Sequence, residues 1–281
     1  MGGGVRNIAI DARTGAVYPP VVKLATWNVN SIRARLPRLL DWLGRANPDV
    51  VCLQELKVPD ADFPVAELEA AGYRAAIFGQ RTYNGVAILA RDEPADVSIG
   101  MADDSVDEQA RLIAATVNGI RVVSAYFPNG QEVGSEKWSY KLEWMARLER
   151  HLGRTYRPDQ PLVLAGDFNV APDDRDVARP EEWRESVLCH PDARAALGRI
   201  AAWGLVDGLR LTEPGPGPYS WWDYRMLAFP KGNGLRIDHV FVTAPLRARC
   251  VKAWVERNER KGTRPSDHVP VMVELVEGSD A

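Results

Sequence analysis

An α/β fold is what this sequence predicts, and three observations support it. The first is a strand–helix–strand unit near the start. Val21-Val22-Lys23-Leu24-Ala25-Thr26-Trp27 is one apolar run and Asp49-Val50-Val51-Cys52-Leu53-Gln54 another, while Ile32, Leu36, Leu39, Leu40 and Leu43 recur between them at helical spacing. Such a βαβ unit belongs to a sheet covered by helices. The second is Leu162-Val163-Leu164-Ala165, bounded by Pro161 and Gly166, which reads as a buried strand. The third is what the apolar runs deliver: Asn28 and Asn30, Glu55, Asp167 and Asn169, Asp238, and Asp267-His268. One acid at a strand end is a turn residue. The repetition of Asp, Glu, Asn and His at so many ends points to one shared site, and hence to one domain spanning 21–281.

Taken in order, residues 1–20 read as a loosely held extension: Gly2-Gly3-Gly4 and Asp11-Ala12-Arg13 break any signal-peptide hydrophobic region, and Pro19-Pro20 ends it. Ser31 is a plausible cap for the first helix, and Pro48 closes it. Further strands are expected at 73–78, 85–90, 112–117 and 121–127, with Asn118-Gly119 as a hairpin turn between the last two. Trp138, Leu142, Met145, Leu148 and Leu152 mark a helix over 136–152, and 192–203 is a second one, stopped by Gly204. Strands are expected at 205–211, 235–242 and 269–276. The stretch Thr212-Glu213-Pro214-Gly215-Pro216-Gly217-Pro218 between the first two can only be loop.

Hydrophobic residues make up 46% of 281 residues, enough for a substantial core, and a net charge of -3 gives no global basic signature. Any nucleic-acid partner must therefore be met by local positive charge. No apolar run reaches the roughly 18 residues of a membrane span. Cys52, Cys189 and Cys250 are odd in number, scattered and without metal spacing, which fits reduced thiols and a cytoplasmic protein.

Asp167 and Asn169 leave an extended chain on the same side, because side chains alternate with period two. Carboxylates and amide oxygens with few cysteines favour a hard cation, Mg²⁺ or Mn²⁺, over zinc. Glu55 is the most telling donor, since glutamate has little turn preference. A carboxylate such as Asp238 accepting the N–H of His268 would fix its tautomer and raise its basicity. His239 alternates to the opposite face, while His151 and His190 read as surface residues.

Ser220-Trp221-Trp222-Asp223-Tyr224-Arg225 places three aromatics and an arginine after the Gly/Pro-rich loop. Two adjacent tryptophans cannot both face one core from a strand, so at least one is expected at the surface, suited to stacking on bases or wedging into a groove. Arg33, Arg35 and Arg38, and Arg257, Arg260, Lys261 and Arg264, are candidate phosphate clamps. Tyr126 can aim a phenol at a phosphate oxygen or leaving group, and Asn129 can contact nucleic acid.

Together these stretches resemble the exonuclease III family of DNA-repair nucleases, within the endonuclease/exonuclease/phosphatase superfamily of DNase I-like fold. The matching segments are Trp27-Asn28-Val29-Asn30-Ser31-Ile32-Arg33, Leu53-Gln54-Glu55-Leu56-Lys57, Tyr126-Phe127-Pro128-Asn129-Gly130, Gly166-Asp167-Phe168-Asn169, Ser220-Trp221-Trp222-Asp223-Tyr224-Arg225, Leu235-Arg236-Ile237-Asp238 and Pro265-Ser266-Asp267-His268. Leu56 and Val269 depart from the family's usual threonine and alanine. The resemblance implies a four-layered α/β sandwich, two mixed sheets face to face with helices outside.

It also implies Mg²⁺-dependent hydrolysis of double-stranded DNA, with Mn²⁺ able to substitute. The implied reactions are incision 5′ to abasic sites, 3′→5′ exonuclease and cleaning of 3′ ends in base excision repair, by a monomer without membrane contact. By resemblance Glu55 is the principal metal ligand, assisted by Asn30 and Asp267. Asp167 is the water activator or a second ligand, and Asn169 is the transition-state contact or a further ligand. Asn28 orients Asp167. His268 pairs with Asp238 at the scissile phosphate, which Tyr126 contacts. Arg33, Asn129, Trp221, Trp222 and Arg225 face DNA. Relatives of the same fold acting on inositol phosphates, sphingomyelin or poly(A) would not need the Trp-Trp-Asp-Tyr-Arg stretch. A silent DNA-binding protein would not need Glu55, Asp167, Asn169, Asp238 and His268 together.

Overall fold

The computed structural model describes residues 9–10, 17–18, 20–103 and 109–278. The extension expected over 1–20 lies largely outside the described residues; within it β1 (Ala9–Ile10) pairs with β2 (Val17–Tyr18).

Two six-stranded sheets form the body. In chain order the first uses β3 (Val21–Asn28), β4 (Val50–Gln54), β5 (Arg74–Phe78), β6 (Val86–Ala90), β13 (Cys250–Val255) and β14 (Val271–Val276), arranged β13-β14-β3-β4-β6-β5. The second uses β7 (Ala95–Ile99), β8 (Leu112–Val117), β9 (Ile120–Tyr126), β10 (Leu162–Asp167), β11 (Leu205–Asp207) and β12 (Asp238–Thr243), arranged β11-β12-β10-β9-β8-β7. Each sheet is mixed: β3 and β4 run parallel, as do β9 and β10, and the other neighbours are antiparallel.

Period-two alternation sorts the strand residues into layers. Val22 and Leu24 of β3, Cys52 of β4, Val122 of β9, Val163 and Ala165 of β10, and Val240 and Val242 of β12 meet in a core between the sheets. The intervening residues point outward. Ala25, Trp27, Val51 and Leu53 pack under α1 (Ile32–Ala46) and α2 (Val65–Ala70). Leu162 and Leu164 pack under α3 (Glu136–Thr155) and α5 (Pro191–Ala202). Helix, sheet, sheet, helix is the four-layered α/β sandwich.

The helices begin where their caps dictate. Ser31 Oγ accepts from Ala34 N and Ser135 Oγ from Trp138 N, while α1 ends on Asn47 in the left-handed region. The Asn118-Gly119 turn has φ of 49° and 73°, the positive values a two-residue hairpin of type I′ needs. Gly166 is fixed by closeness of approach: a Cβ there would lie 1.8 Å from Ala125 O on the neighbouring β9.

Three expectations need correction. The strand expected over 205–211 stops at Asp207, whose Oδ1 accepts from Leu209 N and starts the short helix α6 (Gly208–Thr212). Of the strand expected over 235–242, Leu235 makes only isolated bridges, and the ladder begins at Asp238. His151 is buried rather than at the surface, bonded through Nδ1 to Met101 O. The described structure also adds the short helices α4 (Pro180–Trp183) and α7 (Ala244–Arg247).

Candidate active site

The face that builds the inter-sheet core changes character at one end of the sandwich. Thr26 and Asn28 follow Leu24 on β3, Gln54 follows Cys52 on β4, Ser124 and Tyr126 follow Val122 on β9, and Asp167 follows Ala165 on β10. All share the inward parity. Thr26 Oγ1 donates to Gln54 Oε1 at 3.2 Å, and Gln54 Nε2 donates to Ser124 Oγ at 3.3 Å, joining the two sheets beneath the site. The candidate site is thus the polar mouth of the central core.

The two parallel pairs present their C-terminal ends there. β12 and β14 are antiparallel to β10 and β3, so their N-terminal ends reach the same edge. Asp238 pairs directly across from Asp167. The loop before β14 is pinned by Ser266, whose Oγ donates to Asn28 O at 2.7 Å, and by Trp27 Nε1 donating to His268 O at 3.2 Å.

Asn28 holds the two principal carboxylates. Its Nδ2 donates to Glu55 Oε1 at 2.8 Å and to Asp167 Oδ2 at 2.9 Å. Tyr126 Oη donates to the same Glu55 oxygen at 3.0 Å. His268 Nδ1 donates to Asp238 Oδ2 at 2.9 Å, which leaves Nε2 facing Asp167 Oδ2 at 3.7 Å. Ser220 Oγ donates to Asp238 Oδ2 at 2.6 Å and accepts the Asp238 N–H, holding that carboxylate from behind. Asn169 N donates to Asp167 Oδ1 at 2.9 Å, its Nδ2 to Phe127 O at 3.0 Å, and its Oδ1 accepts from Asn129 Nδ2 at 3.0 Å. On the outer side, Asp267 accepts from Asn30 Nδ2 at 2.9 Å and from Trp221 Nε1 at 3.1 Å.

Several of the left-handed residues of the chain stand at the same place. Asn30, Ser31, Glu55, Lys57 and Asn169 all have positive φ, between 46° and 89°. For residues with a Cβ such conformations cost of order 1–2 kcal/mol each, and they collect at functional sites.

The electrostatics separate the carboxylates. Burial pushes the Glu55 carboxyl up, but the Lys57 ammonium, with Asn28 and His268, outweighs it and holds Glu55 below its usual range. Burial raises Asp167 to about 7; His268 opposes the shift and Asp238 adds to it. Burial disfavours the His268 imidazolium, yet Asp238 and Asp167 raise it to about 10. Burial, with Glu55 and Asp167 nearby, lifts Tyr126 well above the ordinary phenol value, so it stays a neutral donor. Asp267 sits low: burial pushes it up, and His268, Asn30 and Trp221 more than offset that.

Glu55, Asp167 and His268 offer ligand atoms within 4.8 Å of one another. His268, held as the imidazolium by Asp238 and Asp167, has no lone pair to offer, so the oxygen donors are the ones fitted to a cation. Lys57, to which the sequence reading gave no role, tests that fit. Its Nζ lies 2.8 Å from Glu55 Oε2 and 2.6 Å from Asn30 Oδ1, a positive charge held between those two oxygens.

Among the expected DNA contacts, Trp221 is half-buried with its ring 6.4 Å from that of His268, and Arg225 is exposed beside Asp223. Arg33 is exposed and pairs with Asp62. Trp222 is a correction: it is buried against Phe229, Ala228 and Val269, with the Gly234 backbone against its indole, and has no surface to offer DNA. The strap 220–222 explains the split. Trp221 N bonds Leu235 O and Trp222 N bonds Asp267 O, so the adjacent rings point opposite ways. Arg35, Arg38 and Arg260 are also committed internally. Arg35 donates to Asn30 O and Pro265 O, Arg38 to Glu259 and the Lys261 and Thr263 carbonyls, and Arg260 to Trp222 O. They brace the site loops and are not free clamps. His239 bonds Arg236 and Val170 O away from the site, as alternation predicts.

The chain matches the model of the endonuclease/exonuclease/phosphatase family over residues 25–268. It is 34% identical over 266 residues to the exodeoxyribonuclease III of Haemophilus influenzae, covering 90% of this chain and 100% of that protein. Among solved structures, an AP endonuclease from Archaeoglobus fulgidus superposes with a TM-score of 0.87 at 40% identity, over 90% of this chain and 98% of that one. The 3′ phosphatase NExo from Neisseria bound to a product DNA hairpin gives 0.87 at 41%, over 90% and 99%. With two mixed sheets in the sandwich and a family match across almost the whole described body, the chain belongs to the endonuclease/exonuclease/phosphatase family.

Proposed function

We propose that this protein is a metal-dependent DNA-repair nuclease that hydrolyses phosphodiester bonds in double-stranded DNA at abasic sites and at 3′ ends. The observation that carries this reading is the line Asp238–His268–Asp167, ending beside Glu55. It sets an acid–base pair against a carboxylate suited to a cation. The names of the similar nucleases agree with that chemistry.

Glu55 would hold Mg²⁺, or Mn²⁺ in its place, with Asn30 and Asp267 assisting from the outer side; the low Glu55 and Asp267 carboxyls and the all-oxygen donor set favour a hard cation. When bound, the cation supplies positive charge to neutralise the phosphate and the leaving 3′ oxygen. Asp167, near neutrality and held by Asn28 and the Asn169 amide, orients a water in line with the phosphorus and takes its proton. His268, kept protonated by Asp238, turns Nε2–H toward the phosphate, while Asn169 Nδ2 and the neutral Tyr126 phenol are further donors for developing charge. Trp221, half-buried beside His268, would pack against the open face of an abasic sugar, and Arg225, Arg33 and Asn129 would contact the DNA around it.

The core shared by the two sheets supports treating 21–281 as one catalytic domain, and the proposal is that it acts as a monomer. Among the described residues no helix is long and apolar enough to cross a membrane. Cys52, Cys189 and Cys250 are free thiols, which supports a reducing, cytoplasmic setting.

The test is a gel assay on matched duplexes carrying an abasic site, a 3′ phosphate or a plain recessed end, with and without Mg²⁺, beside poly(A) and a phosphoinositide. Metal-dependent cutting of the DNA substrates is expected. Turnover confined to poly(A) or phosphoinositide, or no DNA cleavage in either Mg²⁺ or Mn²⁺, overturns the reading.

A further inference from the structure

Lys141 is a cation with no exposed surface, and the chemistry above makes no use of it. It projects from α3, the crossover helix that joins β9 to β10. Its Nζ donates to Asn129 O at 3.1 Å, Asn169 O at 2.7 Å and Val187 O at 2.7 Å. These carbonyls belong to three segments: the turn after β9, the loop after β10, and the stretch leading into α5. Burial pulls the lysine down to about 7 while Asp167 pulls it back up. All three short contacts require the ammonium, because a neutral amine has only two protons to give.

The partners are specific. Asn129 and Asn169 are the residues whose side chains meet at the site edge, Nδ2 to Oδ1 at 3.0 Å. Asn169 sits at φ 48°, an orientation that needs something to hold its carbonyl. The turn is also cleared for the lysine stem: Gly130, at φ 96°, would bring a Cβ within 3.0 Å of Lys141 Cδ and 3.2 Å of Trp138 Cε3.

We propose that Lys141 is a positioning residue. By holding the peptides of Asn129 and Asn169 it aims both amides at the substrate phosphate, and through the Asn169 N–H it sets the Asp167 carboxylate. A charged hydrogen bond to three separated loops fixes their relative placement in a way an apolar core residue cannot. The inference rests on the function proposed above, because it assigns Asn169 and Asp167 to the reacting phosphate.

The test compares Lys141→Met and Lys141→Arg with Leu148→Ala, an apolar core truncation two turns further along the same helix, which removes packing but no hydrogen bond to the loop carbonyls. Lys141→Met should lower kcat on an abasic duplex by roughly 10- to 100-fold with KM changed less than about threefold. Lys141→Arg should recover most of the loss. Leu148→Ala, at equal or greater cost in thermal stability, should keep kcat within about twofold. Hydrogen exchange over 127–131 and 167–172 should speed up in Lys141→Met and stay unchanged in Leu148→Ala. Equal kcat losses in the two variants at matched folded fraction, or a loss confined to KM, overturns the proposal. If Lys141→Met does not fold, Lys141→Gln, which keeps two donors, replaces it under the same criteria. If the wild-type enzyme cuts no DNA, the functional reading fails and the exchange comparison alone decides whether Lys141 holds the loops.

Discussion

The β3–α1–β4 unit and the β9–α3–β10 unit are built alike. Each is a parallel pair with a helical crossover, each ends at the mouth of the inter-sheet core, and each delivers one carboxylate and one asparagine with positive φ there. Their electrostatics run in opposite directions. Glu55, just past β4, has the partly exposed Lys57 ammonium against it and is held low. Asp167, at the end of β10, is buried next to Asp238 and is raised to about 7. The lysine of its own unit, Lys141, spends its protons on backbone carbonyls. One fold element used twice therefore yields a permanently ionised oxygen for a cation and a carboxylate poised near neutrality for proton transfer, the division of labour that paired catalytic carboxylates require.

The sharpest way to break that comparison is to neutralise each carboxylate in turn. Glu55→Gln and Asp167→Asn should each cost about 10³-fold in kcat, roughly 4 kcal/mol, with the fold intact. The losses should differ in kind. Raising Mg²⁺ should recover part of the Glu55→Gln activity, because the defect is in cation affinity, and none of the Asp167→Asn activity. A metal titration of both variants decides it; equal recovery would remove the distinction between the two units.

Why the two halves look alike in sequence and differ in role is a matter of what local pattern can encode. Asn28, Glu55 and Asp167 are legible because strands buried on both faces appear as unbroken apolar runs, and a polar residue ending such a run stands out. The same logic finds β3, β4, β6, β8 and β9 within about a residue of their observed ends, and β10 from its first residue to two short of its last. It fails for β7, where Ala95, Val97 and Ile99 alternate with polar residues but all five positions are exposed and no unbroken apolar run forms. It also fails at 205–211, where the Asp207 cap turns the chain into a helix. The opposite environments are illegible for a different reason. Asp238 faces Asp167 across a strand pair 71 positions apart, and Lys141 reaches Asn169 across 28; neither contact leaves a local signature. Ser220, Lys57 and Lys141 lay inside or beside recognisable stretches without a visible role, because their roles are defined only by partners from other segments.

The next effect is in pH. Asp167 must lose its proton to act as a base, so kcat should rise with pH on an acid limb governed by the Asp167–His268 pair. In saturating Mg²⁺ the limb should lie at or below about pH 7, since added positive charge favours the carboxylate. His268→Asn removes the cation that opposes the Asp167 shift. It should move the limb to higher pH and lower the plateau by about 100-fold. The stability linkage has its own sign. The folded state raises His268 from 6.5 to about 10, so its contribution is complete below about pH 6.5 and is lost as pH rises through 10. Thermal melts of wild type and His268→Asn from pH 6 to 11 should therefore converge at the alkaline end. A gap that persists there would mean the imidazolium is not what stabilises the mouth.

Smaller again are the effects at the paired tryptophans, which sharpen the comparison from the cation side. Trp221 Nε1 holds Asp267, and Asp267 holds Asn30. Trp221→Ala should cost about tenfold on an abasic duplex, less on an intact end, and little in stability. Trp222→Ala empties a buried indole site and should cost about 3 kcal/mol or more of stability, with kcat near wild type at temperatures where it stays folded. Reversed outcomes, a stability loss at Trp221 and a selective incision loss at Trp222, would mean that the strap 220–222 presents its rings to DNA the other way round.

The smallest expected effect probes the join between the two units. Tyr126 leaves β9, on the Asp167 side, and donates its phenolic hydrogen bond to Glu55 Oε1, on the cation side. With the phenol lifted well above its ordinary value, it remains a donor throughout the working pH range. Tyr126→Phe removes that donor and leaves the ring. The carboxylate keeps Asn28 and Lys57, so the loss should be about 1 kcal/mol, roughly fivefold. If the bond only steadies Glu55, the fivefold should appear in the Mg²⁺ concentration for half-maximal rate and disappear at saturating metal. If Tyr126 also meets the phosphate, a residual loss in kcat should survive saturation. Both measurements come from one titration, and an unchanged curve would mean that the two units are coupled through Asn28 and the Gln54–Ser124 bond, with no part played by Tyr126.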